Sequence, residues 1–490
     1  MPTTFTPRRH VLLVLLLAFA AVWFGNLDYR KLVRPDEGRY AEIPREMVAT
    51  GDWLTPRLNG IKYFEKPPLQ YWATAAAYEV FGEHQWSVRI WPALTGFAGV
   101  LLAWLVGLRL FGSAAAFYAA LVLASSLIYV VIGHLATLDM GLTFFMSLAM
   151  AGLAIGLSDK EHPSTRQLWI HLAWAGMALA MLSKGLIGIL LPLFALGCYA
   201  VVQRDLTLWR RLHPVTGALV FAVIAAPWFI AVSVANPEFP WFFFVHEHFA
   251  RYLTEVHHRT APWWYFFPLL AVGILPWFVT LMDALWRAFL ERSPQQFQPQ
   301  RFLAIWAIAI FAFFSLSSSK LPSYIVPIFP ALALLIGARL ATYRASTLRW
   351  HALPLLLVGL FLVLFATLAL RFAQNPQDVP LYDEYVQWLR AAGSVACVGA
   401  LFAIYRWERG SIITGLIAVA FSALLAEQLA MMGHDTLSPR TSFYSLAQQV
   451  KPFLGPKTRF YSVGTYEQTL PFYLKRTVTL VAFADEMAYG

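Results

Sequence analysis

A set of charged residues stands out because these residues lie in polar loops of an otherwise very apolar chain. The set comprises the carboxylates Asp36, Glu65 and Asp139 and the cations Lys66, Lys184, Arg251 and Lys320. A carboxylate can orient or deprotonate an acceptor group. Cations stabilise the negative charge that grows on a departing phosphate. These residue types therefore predict transfer of a sugar from a lipid-linked phosphate at a membrane surface.

Each of these residues also has a simpler explanation. Asp36 follows Pro35 and is placed to cap a helix, while Asp139 at a helix start would favour the helix dipole. Lys66 and Lys184 are able to extend towards lipid headgroups. Catalysis is favoured only if the separate loops that carry these residues meet in one pocket on one side of the membrane.

The composition predicts an all-α polytopic membrane protein. Of 490 residues, 59% are hydrophobic and only 13% are charged, against about 25% charged in an average soluble protein. Repeated apolar runs predict about thirteen membrane spans. These lie near 10–27, 88–111, 113–133, 139–157, 167–182, 185–202, 214–234, 263–286, 302–316, 322–338, 352–371, 391–406 and 411–430.

The net charge of +10 is interpreted as a topology signal and not as a nucleic-acid surface. If the N-terminus is cytoplasmic, the basic excess lies in the cytoplasmic loops, as in most membrane proteins. This predicts a cytoplasmic N-terminus and an external C-terminus. The first span lacks a small-residue cleavage site and is predicted to be a retained anchor. Cys198 and Cys397 lie inside apolar spans, so neither a disulfide nor a metal role is expected.

The first external loop, residues 28–87, is predicted to contain two helices that lie in the membrane interface. Residues 36–50 form the first, which Pro44 would bend or interrupt. Its apolar face would consist of Tyr40, Ile43 and Met47. The second helix begins at Lys66-Pro67-Pro68. Its apolar stripe would consist of Leu69, Trp72, Ala73 and Ala76.

The second large external loop, residues 235–262, is rich in aromatic residues and contains His246. Most of the rings are expected to form an interfacial belt, and a groove for a lipid tail is compatible with that expectation. Further on, the span at 322–338 contains Pro327 and Pro330. Broken helix at membrane depth needs protein or cavity partners, so this segment is predicted to line the site.

After residue 431 the composition becomes mixed, which predicts a transmembrane domain over 1–431 and a small external α/β domain over 432–490. The predicted order is a helix at 441–451, a strand at 459–463, a helix at 466–474 and a strand at 477–481. The domain is expected to be incomplete, because the chain ends before the pattern closes.

Several sequence motifs are absent, and their absence narrows the range of expected functions. There is no glycine-rich phosphate loop and no Asp-x-Asp pair for a nucleotide–metal complex, so no nucleotide is expected and the donor should be carried by a lipid. His246-Glu247-His248 does not match the metalloprotease pattern, because residue 250 is Ala. A transporter would place charges in mid-span near discontinuous helices. The predicted spans are instead read as clean, with the charges at one mouth, which favours chemistry at the surface.

Several loop segments together resemble the bacterial aminoarabinose transferases of lipid A, which have the GT-C fold and are related to protein O-mannosyltransferases. The segments are Arg34 to Glu42, Phe64-Glu65-Lys66-Pro67-Pro68, His134 to Asp139, Ser183-Lys184-Gly185, His246 to Arg251 and Lys320 to Tyr324. The resemblance implies that Asp36 is the catalytic carboxylate and that Asp139 is its partner. By the same resemblance, the donor-phosphate contacts are Lys66, Arg251 and Tyr324 with Lys184 nearby, and further pocket residues are Glu37, Arg39, Tyr63 and Lys320. Glu65 and His246 match positions that can hold a divalent metal ion.

The resulting hypothesis is an inverting glycosyltransferase in the bacterial inner membrane. It would move 4-amino-4-deoxy-L-arabinose from undecaprenyl phosphate to a phosphate of lipid A. The alternatives are transfer of another sugar, such as a hexosamine or mannose, to lipid A, to another glycolipid or to a protein hydroxyl. A flippase for a lipid carrier and a scaffold are hypotheses from other classes.

Overall fold

A computed structural model describes residues 9–158, 161–250, 261–290, 296–484 and 487–488, and this part of the chain is mostly helical. The α-helices are α1 (Arg9–Phe24), α2 (Asp36–Thr50), α3 (Leu69–Phe81), α4 (Gln85–Leu110), α5 (Ser113–Leu123), α6 (Leu127–Gly133), α7 (Asp139–Gly156), α8 (Pro163–Lys184), α9 (Ile187–Gln203), α10 (Leu208–Arg211), α11 (Pro214–Ala235), α12 (Phe266–Gly273), α13 (Phe278–Leu290), α14 (Pro299–Leu316), α15 (Phe329–Leu340), α16 (Ala345–Leu348), α17 (Leu353–Phe365), α18 (Val379–Glu408), α19 (Ile412–Gly433), α20 (Ser438–Thr441), α21 (Tyr444–Val450) and α22 (Thr469–Leu474). Trp241–Ala250 forms a π-helix, and the 3-10 helices are Pro322–Ile328, Arg349–Ala352, Ala366–Phe372, Pro376–Asp378, His434–Leu437 and Lys451–Phe453. The strands are β1 (Arg57–Leu58) antiparallel to β2 (Ile61–Lys62), and β3 (Tyr461–Val463) parallel to β4 (Thr479–Val481).

Each predicted span corresponds to a helix or to a bent pair of helices. Among the described residues, eight helices are long and apolar enough to cross a membrane, or up to ten if each bent pair is one span. α1 and α9 are apolar but shorter, and α8 lies outside both groups. The helical multi-pass fold class is confirmed, whereas the number of crossings stays a prediction.

Two of the predicted spans are bent. α5 and α6 meet at an angle of 65°, and α12 and α13 meet at 111°, so the predicted spans at 113–133 and 263–286 are each a bent pair of helices. At the first break, the Ser125 hydroxyl donates to a carbonyl oxygen of α5, 2.7 Å away. At the second, Pro276 lacks a backbone donor. The two breaks contact each other, because Trp277 Nε1 donates to Ser125 Oγ over 3.1 Å.

The expectation that the predicted spans are free of charge is wrong. Arg89 lies in the predicted span 88–111 and is fully buried. Glu427 lies on α19, and its Oε2 is buried with no hydrogen bond to any described residue. Charges inside spans are costly and usually have partners or functions. The absence of charge from the spans therefore cannot be used as an argument against a transporter. The choice between an enzyme and a transporter depends on the site and on the protein family.

The first predicted loop helix is confirmed as α2. Gly51 ends it in the left-handed conformation, with φ of 73°, and its N–H donates to the carbonyl of Met47. Pro44 lies inside α2 without interrupting it. Eleven of the fifteen residues of α2 are buried, so protein encloses nearly all of this helix and not one apolar face alone.

The second loop helix, α3, packs on the protein through a face other than the predicted stripe. The buried residues are Gln70, Tyr71, Thr74, Ala75, Ala77 and Tyr78. The predicted stripe of Leu69, Trp72, Ala73 and Ala76 is partly or fully exposed. An outward apolar stripe is the arrangement that an interfacial helix requires.

The helix–strand–helix–strand order of the C-terminal segment is confirmed, with shorter elements (α21, β3, α22 and β4). This segment packs on the first loop. Asn59 exchanges two hydrogen bonds of 2.8 Å with the backbone of Val478, and the Tyr473 hydroxyl accepts from the N–H of Leu32 at 2.8 Å. Tyr40 and Val478 belong to one apolar cluster. The C-terminal segment therefore shares a core with α2, and a domain boundary after residue 431 stays a prediction.

The aromatic rings in the second loop and just after it fall into two groups. Phe239, Phe242 and Phe243 are buried in one cluster with Phe64 of the first loop. More than half of the surface is exposed for Trp241, Trp263, Trp264 and Phe267. Of these rings, the second group alone has the exposure that an interfacial belt requires.

Candidate active site

Glu37 and Arg89 form a buried ion pair beneath the N-terminus of α2. The two ends of the Glu37 carboxylate accept from Arg89 Nε and Nη2, both at 2.8 Å. The same carboxylate accepts from the N–H groups of Val33 at 2.9 Å and Ala136 at 3.0 Å. Burial alone would raise the pKa of Glu37, but Arg89 outweighs it and holds that pKa at about 2. Glu37 therefore fixes the first loop against the segment that precedes α7.

Asp36, the predicted catalytic carboxylate, is the first residue of α2 and its side chain is 50% exposed. No side-chain cap closes this end of the helix, so the capping explanation for Asp36 is not seen. Asp36 Oδ1 lies 3.7 Å from Arg39 Nη1. Arg39 Nε donates to Gln468 Oε1 over 3.1 Å, and its guanidinium lies 5.7 Å from the centre of the Tyr63 ring. Asp36 is thus open to a ligand but held beside a positioned cation.

Gly38 permits α2 to approach the C-terminal segment closely. A Cβ atom at this position would lie 2.5 Å from the backbone carbon of Gln468 and the backbone nitrogen of Thr469. Since α2 packs on α22 here, a side chain at residue 38 would push apart the two segments that hold Arg39 in place.

Tyr40 marks the point where the separate loops meet. Burial raises the pKa of its hydroxyl well above the ordinary value, and the charges of Asp36, Glu65 and Asp139 raise it further while Arg39 lowers it. Three carboxylates from three segments of the chain therefore lie within electrostatic range of one phenol. That these carboxylates share a single pocket stays a prediction.

Asp139 and Lys184 form an ion pair that joins the start of α7 to the end of α8. Their side chains are 11% and 13% exposed, so water screens this pair less than a surface pair. Lys184 Nζ also lies 4.9 Å from the centre of the Tyr324 ring. The structure thus brings together a predicted catalytic residue and two predicted phosphate contacts from three different loops.

Glu65 and Lys66 lie on the same side of the site, next to the end of α8. Lys66 Nζ donates to its neighbour's carbonyl oxygen at 2.7 Å and lies 3.8 Å from Glu65 Oε2. Phe64 belongs to the same apolar cluster as Leu182, two residues before Lys184. This packing places both lysines at one end of the helix bundle.

The remaining predicted site residues are placed differently. Lys320 is buried and donates to the carbonyl of Ser317, and burial lowers the pKa of its amine. In the part of the chain that the structure describes, this hydrogen bond ties Lys320 to its own loop. Arg251 lies outside the described residues. His246 lies on the π-helix, where its ring stacks 5.1 Å from that of Phe242.

The predicted metal ligands are two residues, Glu65 and His246. Within residues 9–158, 161–250, 261–290, 296–484 and 487–488, no group of three His, Cys, Asp or Glu side chains is placed to hold a metal ion. A metal ion held by Glu65 and His246 stays a prediction.

Sequence reasoning missed several residues that hold the site. Arg89 was a detectable signal, because an arginine in an apolar run usually has a buried partner. His134 is buried, with ring nitrogens 2.7 Å from the Val130 carbonyl and 2.6 Å from the Trp23 carbonyl, so it ties α6 to α1. Gln468 had no local signal at all.

Models of two protein families match parts of the chain. The dolichyl-phosphate-mannose-protein mannosyltransferase family matches residues 10–243. The aminoarabinose transferase C-terminal domain matches residues 446–490, which include α22 and both strands of the parallel pair.

Curated relatives match almost the whole chain. The undecaprenyl phosphate-alpha-4-amino-4-deoxy-L-arabinose arabinosyl transferase of Pseudomonas paraeruginosa is 33% identical, over 99% of this chain and 87% of the relative. The chain belongs to this aminoarabinose transferase family. The transferase of the same name from Aeromonas hydrophila is 37% identical, over 66% of this chain and 58% of the relative.

Solved structures confirm the fold of this aminoarabinose transferase family member. ArnT from Cupriavidus metallidurans, bound to undecaprenyl phosphate, is 39% identical with a TM-score of 0.93, covering 98% of this chain and 88% of that one. The oligosaccharyltransferase of Archaeoglobus fulgidus is 16% identical with a TM-score of 0.57, covering 99% of this chain and 66% of that one, and shares the fold alone. The predicted GT-C architecture is confirmed. Aminoarabinose transferases are glycosyltransferases, so the predicted enzyme class is confirmed as well.

Proposed function

We propose that this aminoarabinose transferase moves 4-amino-4-deoxy-L-arabinose from undecaprenyl phosphate to a phosphate of lipid A, with inversion at the sugar carbon. The observation that carries the proposal is the ion pair of Asp139 with Lys184 beside the Tyr324 ring, with Asp36, Glu65 and Asp139 all close enough to Tyr40 to act on its hydroxyl. Relatives named as arabinosyl transferases and a similar structure bound to undecaprenyl phosphate support this donor and sugar.

The reaction is a single displacement at the anomeric carbon. An oxygen of the acceptor phosphate attacks this carbon, and the bond from the carbon to the donor phosphate breaks. The electron pair leaves with the undecaprenyl phosphate, whose negative charge grows. Lys66 and Lys184 are the described cations placed to stabilise that charge, and Arg251 and Tyr324 are the further predicted contacts.

Asp36 acts by position more than by taking a proton. The second pKa of a phosphate monoester is about 6, so an acceptor phosphate on lipid A is already largely anionic at neutral pH. The half-exposed Asp36 carboxylate then orients the acceptor and stabilises positive charge that develops on the sugar. Asp139 is held by Lys184 in an ion pair.

Mass spectrometry of lipid A tests the function directly. Cells that express the wild-type chain should gain a pentosamine on lipid A, and Asp36→Asn should lower the yield by about 10²-fold or more. Glu408→Gln, which changes an exposed carboxylate at the end of α18, is the control and should leave the yield unchanged. A hexosamine on lipid A would show that the sugar is different.

The pH profile separates the two roles of Asp36. If it positions the acceptor, the residual activity of Asp36→Asn should follow the wild-type profile. Residual activity that climbs steeply with pH, in proportion to hydroxide, would show that Asp36 is the base. Transport of the lipid-linked sugar without any glycosidic product, unaffected by Asp36→Ala, would instead identify a flippase.

A second candidate is transfer of mannose to a protein hydroxyl, which the mannosyltransferase family match over residues 10–243 favours. In that case lipid A would keep its mass in cells that express the chain. A mannosylated protein would appear in the same cells and would be absent from cells that express Asp36→Ala.

The location follows from the proposed donor and acceptor. We place the protein in the bacterial inner membrane with a cytoplasmic N-terminus, and with the site and the C-terminus on the periplasmic face. Alkaline phosphatase, which is active outside the cytoplasm, should be active when fused after residue 490 and inactive when fused after Gln203. The reverse pattern would show that the topology is the opposite of the one proposed.

A further inference from the structure

A polar cavity lies at the end of the helix bundle opposite to the candidate active site. α8 ends at Lys184 in the site, and α9 leads from there through 17 residues to Gln203, a distance of about 25 Å along a helix. The cavity has a volume of about 310 Å³ and lies among α9, α10 and the segment before α14. It is too far from Asp139 and Tyr40 to belong to the active site.

The floor of this cavity is rigid and apolar. Tyr199, Leu208 and Phe297 form it, and at most 2% of each is exposed. The rings of Tyr199 and Phe297 lie 5.2 Å apart, and the Tyr199 hydroxyl accepts from the N–H of Gln298 at 2.8 Å. The floor is therefore held in place by packing and hydrogen bonding within the protein.

The walls carry an excess of hydrogen-bond donors and positive charge. Arg204 and Arg211 contribute two guanidinium groups, against one carboxylate from Asp205. Both oxygens of Asp205 are already occupied, one by Thr207 and the other by Gln296 Nε2 at 3.2 Å. The wall therefore favours an anion.

Two of these donors have no acceptor in the described part of the chain. The Nε2 atom of Gln203 is buried without a hydrogen-bond partner there. The Arg204 side chain is exposed and forms no ion pair or hydrogen bond with any described residue. A buried donor without an acceptor costs about 1–3 kcal/mol, so a ligand that supplies oxygen atoms would bind favourably.

Exposed apolar side chains lie close in the chain to the residues that line the cavity. Val201, Val202, Leu206 and Trp209 are between 37% and 70% exposed. They lie on or next to α9 and α10, at the end of a helix bundle that spans a membrane, so they would contact the hydrocarbon of a lipid. A free phosphate or a soluble nucleotide would not cover these apolar side chains.

We propose that this cavity binds the phosphodiester headgroup of an anionic phospholipid. Arg204 and Gln203 donate to the phosphate oxygens, Arg211 supplies further positive charge, and the acyl chains lie against the exposed side chains of α9 and α10. Basic pockets of this kind between membrane helices bind acidic headgroups in other proteins. The site is separate from donor and acceptor binding and does not depend on the proposed transferase reaction.

Native mass spectrometry of the purified full chain tests the proposal. Phosphatidylglycerol should bind more tightly than phosphatidylcholine with the same acyl chains. Arg204→Gln should weaken phosphatidylglycerol binding about fivefold, whereas Arg204→Lys should retain most of it. Arg204 has a φ of 55°, and both replacements keep that backbone strain, so their difference reports the charge.

Arg210→Gln is the matched control. Arg210 is exposed on the same short helix as Arg211 but does not line the cavity, so this variant should bind phosphatidylglycerol like the wild type. Equal binding of the two lipids, or equal losses for Arg204→Gln and Arg210→Gln, would overturn the proposal. Displacement of the lipid by millimolar inorganic phosphate would also overturn it, because it would identify a site for a soluble anion.

Discussion

Replacing Glu37 by Gln should destabilise the first loop strongly, although the two side chains have nearly the same shape. In the folded protein, one carboxylate oxygen accepts from Arg89 Nε and the Ala136 N–H, and the other from Arg89 Nη2 and the Val33 N–H. A glutamine has one amide oxygen and one NH₂ group. Whichever way the amide is turned, its NH₂ group faces two donors.

The size of this effect follows from burial. The Glu37 side chain is 2% exposed and that of Arg89 is 0% exposed, so the variant leaves a buried guanidinium without its counter-charge. Breaking such a pair costs about 3–5 kcal/mol, which corresponds to roughly 10²–10⁴-fold in the opening equilibrium. Arg89 also donates to the carbonyls of Leu27, Arg30 and Lys31, so the loss should spread through that turn.

Hydrogen exchange and thermal unfolding in detergent measure the effect. Hydrogen exchange at the backbone amides of Ala136 and Val33 should accelerate by about 10²–10⁴-fold. The unfolding temperature should fall. Glu161→Gln is the control, because Glu161 pairs with a largely exposed Arg109 at 3.0 Å and its loss should cost less than about 1 kcal/mol. If Glu37→Gln unfolds and exchanges like the control, the buried pair does not hold the site together.

Acid should act on the same pair. The pKa of Glu37 is lowered from 4.5 to about 2 on folding, so the unfolded chain binds the proton more tightly. The stabilisation by Glu37 is therefore complete above pH 4.5 and is lost as the pH falls from 4.5 towards 2. Glu37→Gln should flatten the stability profile in that window, and an unchanged profile would contradict the assignment.

Three further predictions follow from the same structure. Gly38→Ala should cost about 1–3 kcal/mol in thermal unfolding and lower transfer activity, whereas Gly197→Ala, where a Cβ atom would meet its nearest neighbour at 3.9 Å, should cost much less. Lys66→Ala should raise the KM for the lipid-linked donor by about 10–100-fold at an unchanged unfolding temperature, and an unchanged KM would remove Lys66 from the phosphate site. Burial lowers the pKa of His134 from 6.5 to about 4, so wild-type stability should fall as the pH drops from 6.5 to 4, and His134→Gln should show a flatter profile in that window.

Sequence reasoning succeeded where the signal was local. The end of α2 was predicted from Thr50-Gly51, since a left-handed glycine ends a helix. The order of helices and strands in the C-terminal segment was predicted from short-range patterns in the same way. Such signals depend on backbone preferences of a few neighbouring residues.

Sequence reasoning failed where the structure of a segment depends on contacts with distant parts of the chain. The breaks near Ser125 and Pro276 lie inside apolar runs that read as single spans, and the bends place the two breaks in contact. Likewise, the aromatic residues that are buried and those that are exposed in and just after the second loop are of similar types. Hydrophobicity predicts that a ring avoids water, but not whether lipid or protein covers it.

The sequence by itself determined that this chain is a helical membrane protein and which loop residues have the chemistry for glycosyl transfer, because composition and residue type are properties of the chain alone. The tertiary structure alone decided that Glu37 serves Arg89, 52 residues away, and that Gln468 holds Arg39 from a distance of 429 residues. Which carboxylate is buried and neutralised, and which one stays open to a ligand, depends on what packs against it. That packing is set by contacts between distant segments, which no local pattern records.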